Sequence, residues 1–255
     1  MKRTALLIVT AALFACSCEN RQASNSHSEK NIQDSLSAIA DGDSTIYGLT
    51  CDGTNDTILI FLPLSDVSLD PDTFNILTAT KRHRIFGQPK VGDKIAVVRN
   101  AKDSTKADFV IVTEDLNGSW AYLEMPVLKE RVNMTQKQIL AEMNDSTKLA
   151  VMVPREYGMQ LMGDNTIHSV GSYHSQDEEK DSPVEYAKPK RYHQWRLYNG
   201  KLLLSTMGMD SLGNSFVTGI DTADFLLLRR DTLVLKFKDY KRGYYRKETE
   251  KEQGE

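Results

Sequence analysis

Few residues in this 255-residue chain have the type and spacing that chemistry needs. The five histidines, His27, His83, His168, His174 and His193, are scattered, and none has a partner at metal-ligand spacing. The three cysteines, Cys16, Cys18 and Cys51, form no Cys-x-x-Cys pair. The sequence holds no Gly-x-Ser-x-Gly nucleophile elbow and no glycine-rich phosphate loop. Its carboxylates fall in turn-like contexts, where Asp bonds to nearby backbone. These observations predict no catalytic residues, no metal and no cofactor, hence a protein that is not an enzyme. What remains is a thiol chemistry near the N-terminus and a set of large apolar side chains spaced for β-structure.

Lys2 and Arg3 are followed by an apolar run over residues 4–14. That run is far shorter than the ~20 residues a membrane-spanning helix needs. It ends in Leu13-Phe14-Ala15-Cys16, a small residue at a cleavable bond followed by a thiol. This resembles the bacterial lipobox, with Phe14 bulkier than the pattern prefers. Cys18, after Ala15-Cys16-Ser17, is the alternative acceptor. The resemblance implies a lipoprotein signal peptide over residues 1–15 and an acylated Cys16 carrying palmitate-type chains. Each buried methylene then contributes about 0.8 kcal/mol, so two or more chains anchor stably. Residues 16–44, polar beyond the cysteines, read as a lipidated tether. Cys51 reads as a small buried apolar side chain.

With 40% hydrophobic and 26% charged residues, the remainder has the balance of soluble globular units. A net charge of -3 supplies no basic field for nucleic acid. The one dense basic cluster, Lys81-Arg82-His83-Arg84, reads as a solvated strand edge. From Thr45 onward the pattern is β. Strands are expected near residues 46–51, 57–62, 74–78, 82–86, 94–99 and 109–113, a small SH3/OB-like barrel over residues 45–114. In a second unit, residues 115–248, Thr135-x-x-Gln138 reads as a capping box opening a helix over 133–143. Strands are expected at 149–153, 157–162, 166–170, 223–228, 232–237 and 242–246, with an exposed loop over 172–189 and a charged tail at 249–255. Asn199-Gly200 fixes a two-residue hairpin turn. Leu197 then faces Leu202 and Trp195 faces Leu204 on one side, with Arg196 facing Leu203 and Tyr198 facing Lys201 on the other. Interior candidates are Trp195, Leu197, Leu202, Leu204, Leu226, Leu228, Leu233 and Leu235.

The second unit resembles the lipocalin-like domains of bacterial lipoproteins. The resemblance is carried by Gly118-Ser119-Trp120 and by the 157–167 hairpin with its Gly163-Asp164-Asn165 turn. It is carried further by Trp195 followed by Asn199-Gly200-Lys201-Leu202-Leu203-Leu204, by Asp231-Thr232-Leu233-Val234-Leu235, and by the late Tyr244-Tyr245-Arg246. It implies a mostly β chain ending in an antiparallel lipocalin-like barrel with one short helix. Trp120 would lie across one end beneath Arg242 or Arg246. Trp120, Trp195, Leu197, Leu204 and Phe225 are the ligand-pocket candidates, although the plain reading of such side chains is core.

The implied role is non-catalytic binding by a lipoprotein held to the outer membrane, on its periplasmic or surface face. Its partner is a small apolar or amphiphilic ligand or, with a filled barrel, another envelope protein. Finally, Asp34-Ser35-Leu36, Asp56-Thr57-Ile58, Asp210-Ser211-Leu212, Asp221-Thr222-Ala223 and Asp231-Thr232-Leu233 resemble the acceptor of protein O-glycosylation in some Gram-negative bacteria. A sugar needs an exposed residue, which makes Ser35 in the tether the candidate. In the folded units the same dipeptides read as turns.

Overall fold

A computed structural model describes residues 42–66, 68–129, 134–171 and 183–247. Cys16, Cys18 and Ser35 lie outside the described residues, as does most of the expected 172–189 loop. The chain is mostly β. Its first sheet is built from β1 (Thr45–Thr50), β2 (Ile58–Pro63), β3 (Asp72–Asn75), β4 (Ile85–Phe86), β5 (Lys94–Arg99) and β6 (Ala107–Val112), in the order β3-β2-β1-β5-β6-β4. A short helix, α1 (Leu77–Lys81), follows β3. A parallel bridge from Asn75 to Lys106 brings β3 back toward β6.

Strand alternation gives this sheet two apolar faces. Ile95, Val97, Val110 and Val112 pack with Leu59, Phe61 and Phe74 in a core of their own. Ala96, Phe109 and Ile111 point the other way and join the core of the second sheet. A strand apolar on both sides is one sandwiched between two layers.

The second sheet comprises β7 (Gly118–Glu124), β9 (Arg155–Leu161), β10 (Ile167–Gly171), β12 (Gln194–Tyr198), β13 (Lys201–Met209), β14 (Ser215–Leu228), β15 (Thr232–Lys236) and β16 (Lys241–Lys247). Its order, β10-β9-β7-β16-β15-β14-β13-β12, is an up-and-down meander whose last strand pairs with its first. The remaining edges meet through a Thr166–Gln194 bridge and the bond from Trp195 N to Asn165 O at 2.9 Å. The result is a nearly closed eight-stranded antiparallel barrel, which removes the exposed strand edges.

The hairpin register is the expected one, with Trp195 opposite Leu204 and Leu197 opposite Leu202. Asn199 and Gly200 both take positive φ, 48° and 76°. This turn is also where the two sheets are tied. Asn199 Oδ1 accepts from Ser44 N at 2.9 Å, Asn199 Nδ2 donates to Gly42 O at 2.9 Å, and Gly200 lies against the Phe109 ring. The boundary expected at 114/115 falls within a one-turn helix, α2 (Thr113–Leu116), whose Leu116 is part of the shared core.

Between β7 and β9 the chain forms β8 (Val127–Leu128), α3 (Gln136–Glu142) and α4 (Asp145–Val151). The Thr135/Gln138 capping box is present. β8 pairs with β11 (Val184–Glu185), and Leu128, Ile139, Val184 and Tyr186 make a satellite cluster.

Several expectations are corrected. Residues 149–153 do not form a strand. Asn144 caps α4, accepting from Thr147 N at 2.7 Å, and the helix places Val151 against the satellite cluster while leaving Leu149 exposed. The strand expected at 74–78 ends at Asn75, because α1 begins at Leu77. The Lys81-Arg82-His83-Arg84 cluster is the end of α1 and its exit, with the Arg84 guanidinium over the Phe109 ring at 5.3 Å. Leu226 is not interior but 42% exposed, because the register shifts between Phe225 and Leu227 and turns its side chain outward. Cys51 is half-buried rather than buried.

Replacing Gly200 with Val puts a β-branched residue at φ 76° and a Cβ 2.9 Å from the Phe109 ring. The left-handed backbone alone costs about 1–2 kcal/mol. Gly200→Val should therefore lower the urea-unfolding free energy by about 2–3 kcal/mol. Lys201→Ala beside it loses only a half-exposed 3.4 Å ion pair and should be near neutral.

Candidate functional site: the open end of the barrel

The turns β9–β10, β12–β13 and β14–β15, together with the start of β7 and the end of β16, define one end of the barrel. That end is closed. Trp120 is fully buried there, and its indole N–H donates to Leu116 O at 2.8 Å. Arg246 lies over the indole with its guanidinium 4.3 Å from the ring centroid. The same guanidinium donates to the carbonyls of Asn117, Asp115 and Arg230. Of the two arginines expected to cover Trp120, Arg246 does so. Phe86 and Phe109 of the first sheet complete the stopper, their rings 5.5 and 6.0 Å from that of Phe225.

This locates the five pocket candidates. Trp120, Trp195, Leu197, Leu204 and Phe225 are all buried in the joint core of the closed half. Trp195 and Leu197 also border a surface depression of about 460 Å³ beside Asp43 and Tyr47. A second depression, about 590 Å³, lies where Phe86 and Ile85 meet Leu226 and Leu228.

The other end is open. A cavity of about 550 Å³ reaches in between β7, β9, β10, β14 and β16, bordered by the 187–192 segment. Tyr122, Met159 and Tyr244 line it, with Phe237 and Tyr240 at the β15–β16 turn. Tyr122 and Tyr244 meet edge to face at 5.4 Å, and Phe237 stacks on Tyr240 at 4.7 Å. The register explains the grouping: Leu233 opposes Tyr244, and Tyr245 opposes Ala121, so Tyr244 and Tyr122 are inward neighbours.

The charges in the cavity are paired. Arg242 Nη1 donates to Glu124 Oε2 at 2.6 Å and its guanidinium lies 4.0 Å from the Tyr122 ring centroid. Lys190 Nζ reaches both Asp221 oxygens at 2.8 and 2.7 Å, and the Tyr192 hydroxyl donates to the same carboxylate at 2.6 Å. Burial alone would raise the Asp221 pKa, but the Tyr192 hydroxyl and Lys190 ammonium outweigh it and hold the carboxyl below its ordinary range. Burial, reinforced by that carboxylate, pushes the Tyr192 phenol well up. Among the described residues there is no group of three metal-ligating side chains, and no helix is long and apolar enough to cross a membrane.

Sequence reasoning used Tyr244-Tyr245-Arg246 as part of a motif but assigned none of the mouth residues to a site. They come from five strands and a loop, so no local spacing joins them. The usable signal was parity: Tyr122 and Tyr244 sit two residues from Trp120 and Arg246 on strands of period two.

The nearly closed antiparallel barrel fits a lipocalin-like domain. No protein-family profile and no curated protein matches the chain. Among solved structures, a lipocalin-like protein from Bacteroides thetaiotaomicron VPI-5482 is 17% identical, the match covering 51% of this chain and 95% of that one at a TM-score of 0.26.

Two consequences can be measured. Arg246→Met removes the bonds to Asn117, Asp115 and Arg230 while keeping an apolar cover on Trp120, and should cost about 2–4 kcal/mol in urea unfolding. For Asp221, a depressed folded-state pKa gives stability that is present above the unfolded value and lost as pH falls through the folded one. Asp221→Asn should thus be less stable than wild type at neutral pH, and the difference should shrink steadily below about pH 4.

Proposed function

We propose that this protein is a lipid-anchored envelope lipoprotein whose C-terminal barrel binds a small amphiphilic molecule at its open end without transforming it. The observation that carries this reading is the division of the barrel. One half is filled by Trp120, Leu202, Leu204, Leu233 and the residues of the first sheet, and the other holds a solvent-reachable, aromatic-lined cavity of about 550 Å³. That volume lies within the range of small-molecule sites. The lining combines apolar ring faces with hydroxyls and paired charges, which suits a molecule with both characters better than a plain hydrocarbon.

In the same reading the first sheet is an OB-type small barrel. The order β3-β2-β1-β5-β6, the parallel return from β3 to β6, and a helix between β3 and β5 support this. Its role is to stopper the larger barrel. The described chain enters beside Asn199 at the stoppered end, and in this reading the tether from Cys16, or Cys18, at the outer membrane joins the barrel there and leaves the mouth unobstructed.

A second reading, docking to another envelope protein, is favoured by one feature. The β13–β14 hairpin leaves Met209 and Leu212 75% and 84% exposed, with Phe216 beside them. Surface patches of this kind mark interaction sites.

Native mass spectrometry of the protein purified from its own host tests both parts. The expected result is a chain beginning at an acylated cysteine and carrying one small-molecule adduct, which is lost in a Ser169→Trp variant that fills the mouth. A chain that copurifies only with another protein favours the second reading. An unacylated chain with no adduct overturns the first. In parallel, Cys16→Ser combined with Cys18→Ser should move the protein to the soluble fraction, and persistence in salt-washed membranes would refute the anchor.

A further inference from the structure

Tyr244 is the deepest polar group of the mouth. It is only 6% exposed, lines the cavity, and is held by its edge-to-face contact with Tyr122. Its hydroxyl makes no hydrogen bond to another described residue and opens on the cavity; the sealed, unpartnered side-chain atoms among the described residues belong to Thr50, Asn117 and Gln194 instead. Every other polar group near that depth is engaged. Arg242 is taken by Glu124, and Asp221 holds both Lys190 and Tyr192. The remaining lining charges, Lys188, Lys238 and Asp239, are exposed at the rim.

In the free protein water reaches this hydroxyl; a ligand that displaces the water without supplying an acceptor strands it at a cost of about 1–3 kcal/mol, which a ligand oxygen placed against it avoids. Burial raises the Tyr244 pKa, so the group stays a neutral donor throughout the physiological range. A charged ligand head would gain nothing comparable. To be neutralised at depth it would have to break one of two existing ion pairs and leave an unpaired charge behind.

Building on the mouth-binding reading, we propose that the ligand is an uncharged ring-bearing molecule whose carbonyl or ether oxygen accepts a hydrogen bond from Tyr244. The ring lies among Tyr122, Phe237 and Tyr240. Tyr244 is thus the specificity-determining residue: it selects a neutral acceptor over both a hydrocarbon and an acid of the same shape. Discrimination of this kind is large where a site is built to hydrogen-bond a ligand group, because the analogue lacking that group leaves the site's own polar atom unpaired.

The test uses the full-length protein and three fluorescent naphthalenes of similar size. These are 6-propionyl-2-(dimethylamino)naphthalene, the parent 2-(dimethylamino)naphthalene without the ketone, and 6-(dimethylamino)-2-naphthoate. The ketone should bind at least tenfold more tightly than the other two, with the red-shifted emission of a hydrogen-bonded carbonyl. Tyr244→Phe keeps the ring and the packing. It should weaken the ketone about tenfold, shift its bound emission to the blue, and leave the affinity of the parent amine without the ketone unchanged. Equal ketone affinity in wild type and Tyr244→Phe, or preference for the naphthoate, overturns the assignment to Tyr244 while leaving a mouth site standing. Failure of all three probes to bind, or binding that Ser169→Trp does not reduce, overturns the mouth reading and this inference together.

Discussion

The contact between Arg246 and Trp120 is the constraint on which the rest of the molecule depends. Arg246 stands opposite Trp120 where the last strand pairs with the first, so a single side chain covers the junction between the two ends of the barrel's chain. Its hydrogen bonds run to the segment entering β7, through Asp115 and Asn117, and to the β14–β15 turn, through Arg230. A guanidinium can do this because its donors spread in a fixed plane; an ammonium would reach fewer carbonyls and lie poorly on the indole. Gly118, at φ 131°, leaves the space that Arg246 occupies, and a side chain there would displace it. Pairing of the first and last barrel strands, burial of the indole N–H of Trp120 and fixing of the segment that leads from the first sheet are therefore coupled through one side chain.

Once that end is closed, the position of the cavity follows from packing. The outward face of β5 and β6 is apolar, and it is stacked on the barrel end rather than exposed to water. Rings from both sheets, Phe86, Phe109 and Phe225, fill the space between them. A close-packed half cannot open for a ligand without losing contacts worth several kcal/mol. The cavity that reaches into the barrel lies at the other end, where paired charges replace leucines.

Local sequence signals predicted local structure well. Asn199-Gly200 specified the register of four residue pairs because a two-residue turn has one solution, and Thr135 with Gln138 specified the cap of α3. The apolar run at 149–153 was not decidable by periodicity, and Asn144, a capping residue, settled it as helix. Leu226 was misplaced because a bulge resets strand parity and leaves no mark in composition. The five pocket candidates were chosen for size and apolarity, the properties that take residues into a core. Tyr244 was legible only as part of a motif; its role depends on the absence of a partner, which is a property of three-dimensional packing.

The polar organisation of the mouth bears directly on the selectivity proposed for it: a site for an ion would keep an ion's partner free. Here both interior carboxylates are neutralised within the chain, by Arg242 and by Lys190. Those pairs brace β7 against β16 and the 187–192 segment against β14. Within each pair the charges balance, so the pairs themselves present no net charge to an occupant. What they leave to the occupant is a set of ring faces and one donor. Ring faces favour flat apolar surfaces of many kinds, so discrimination falls to the donor, whose oxygen is held in place by the neighbouring Tyr122 ring at 5.4 Å while its hydrogen can turn toward an acceptor.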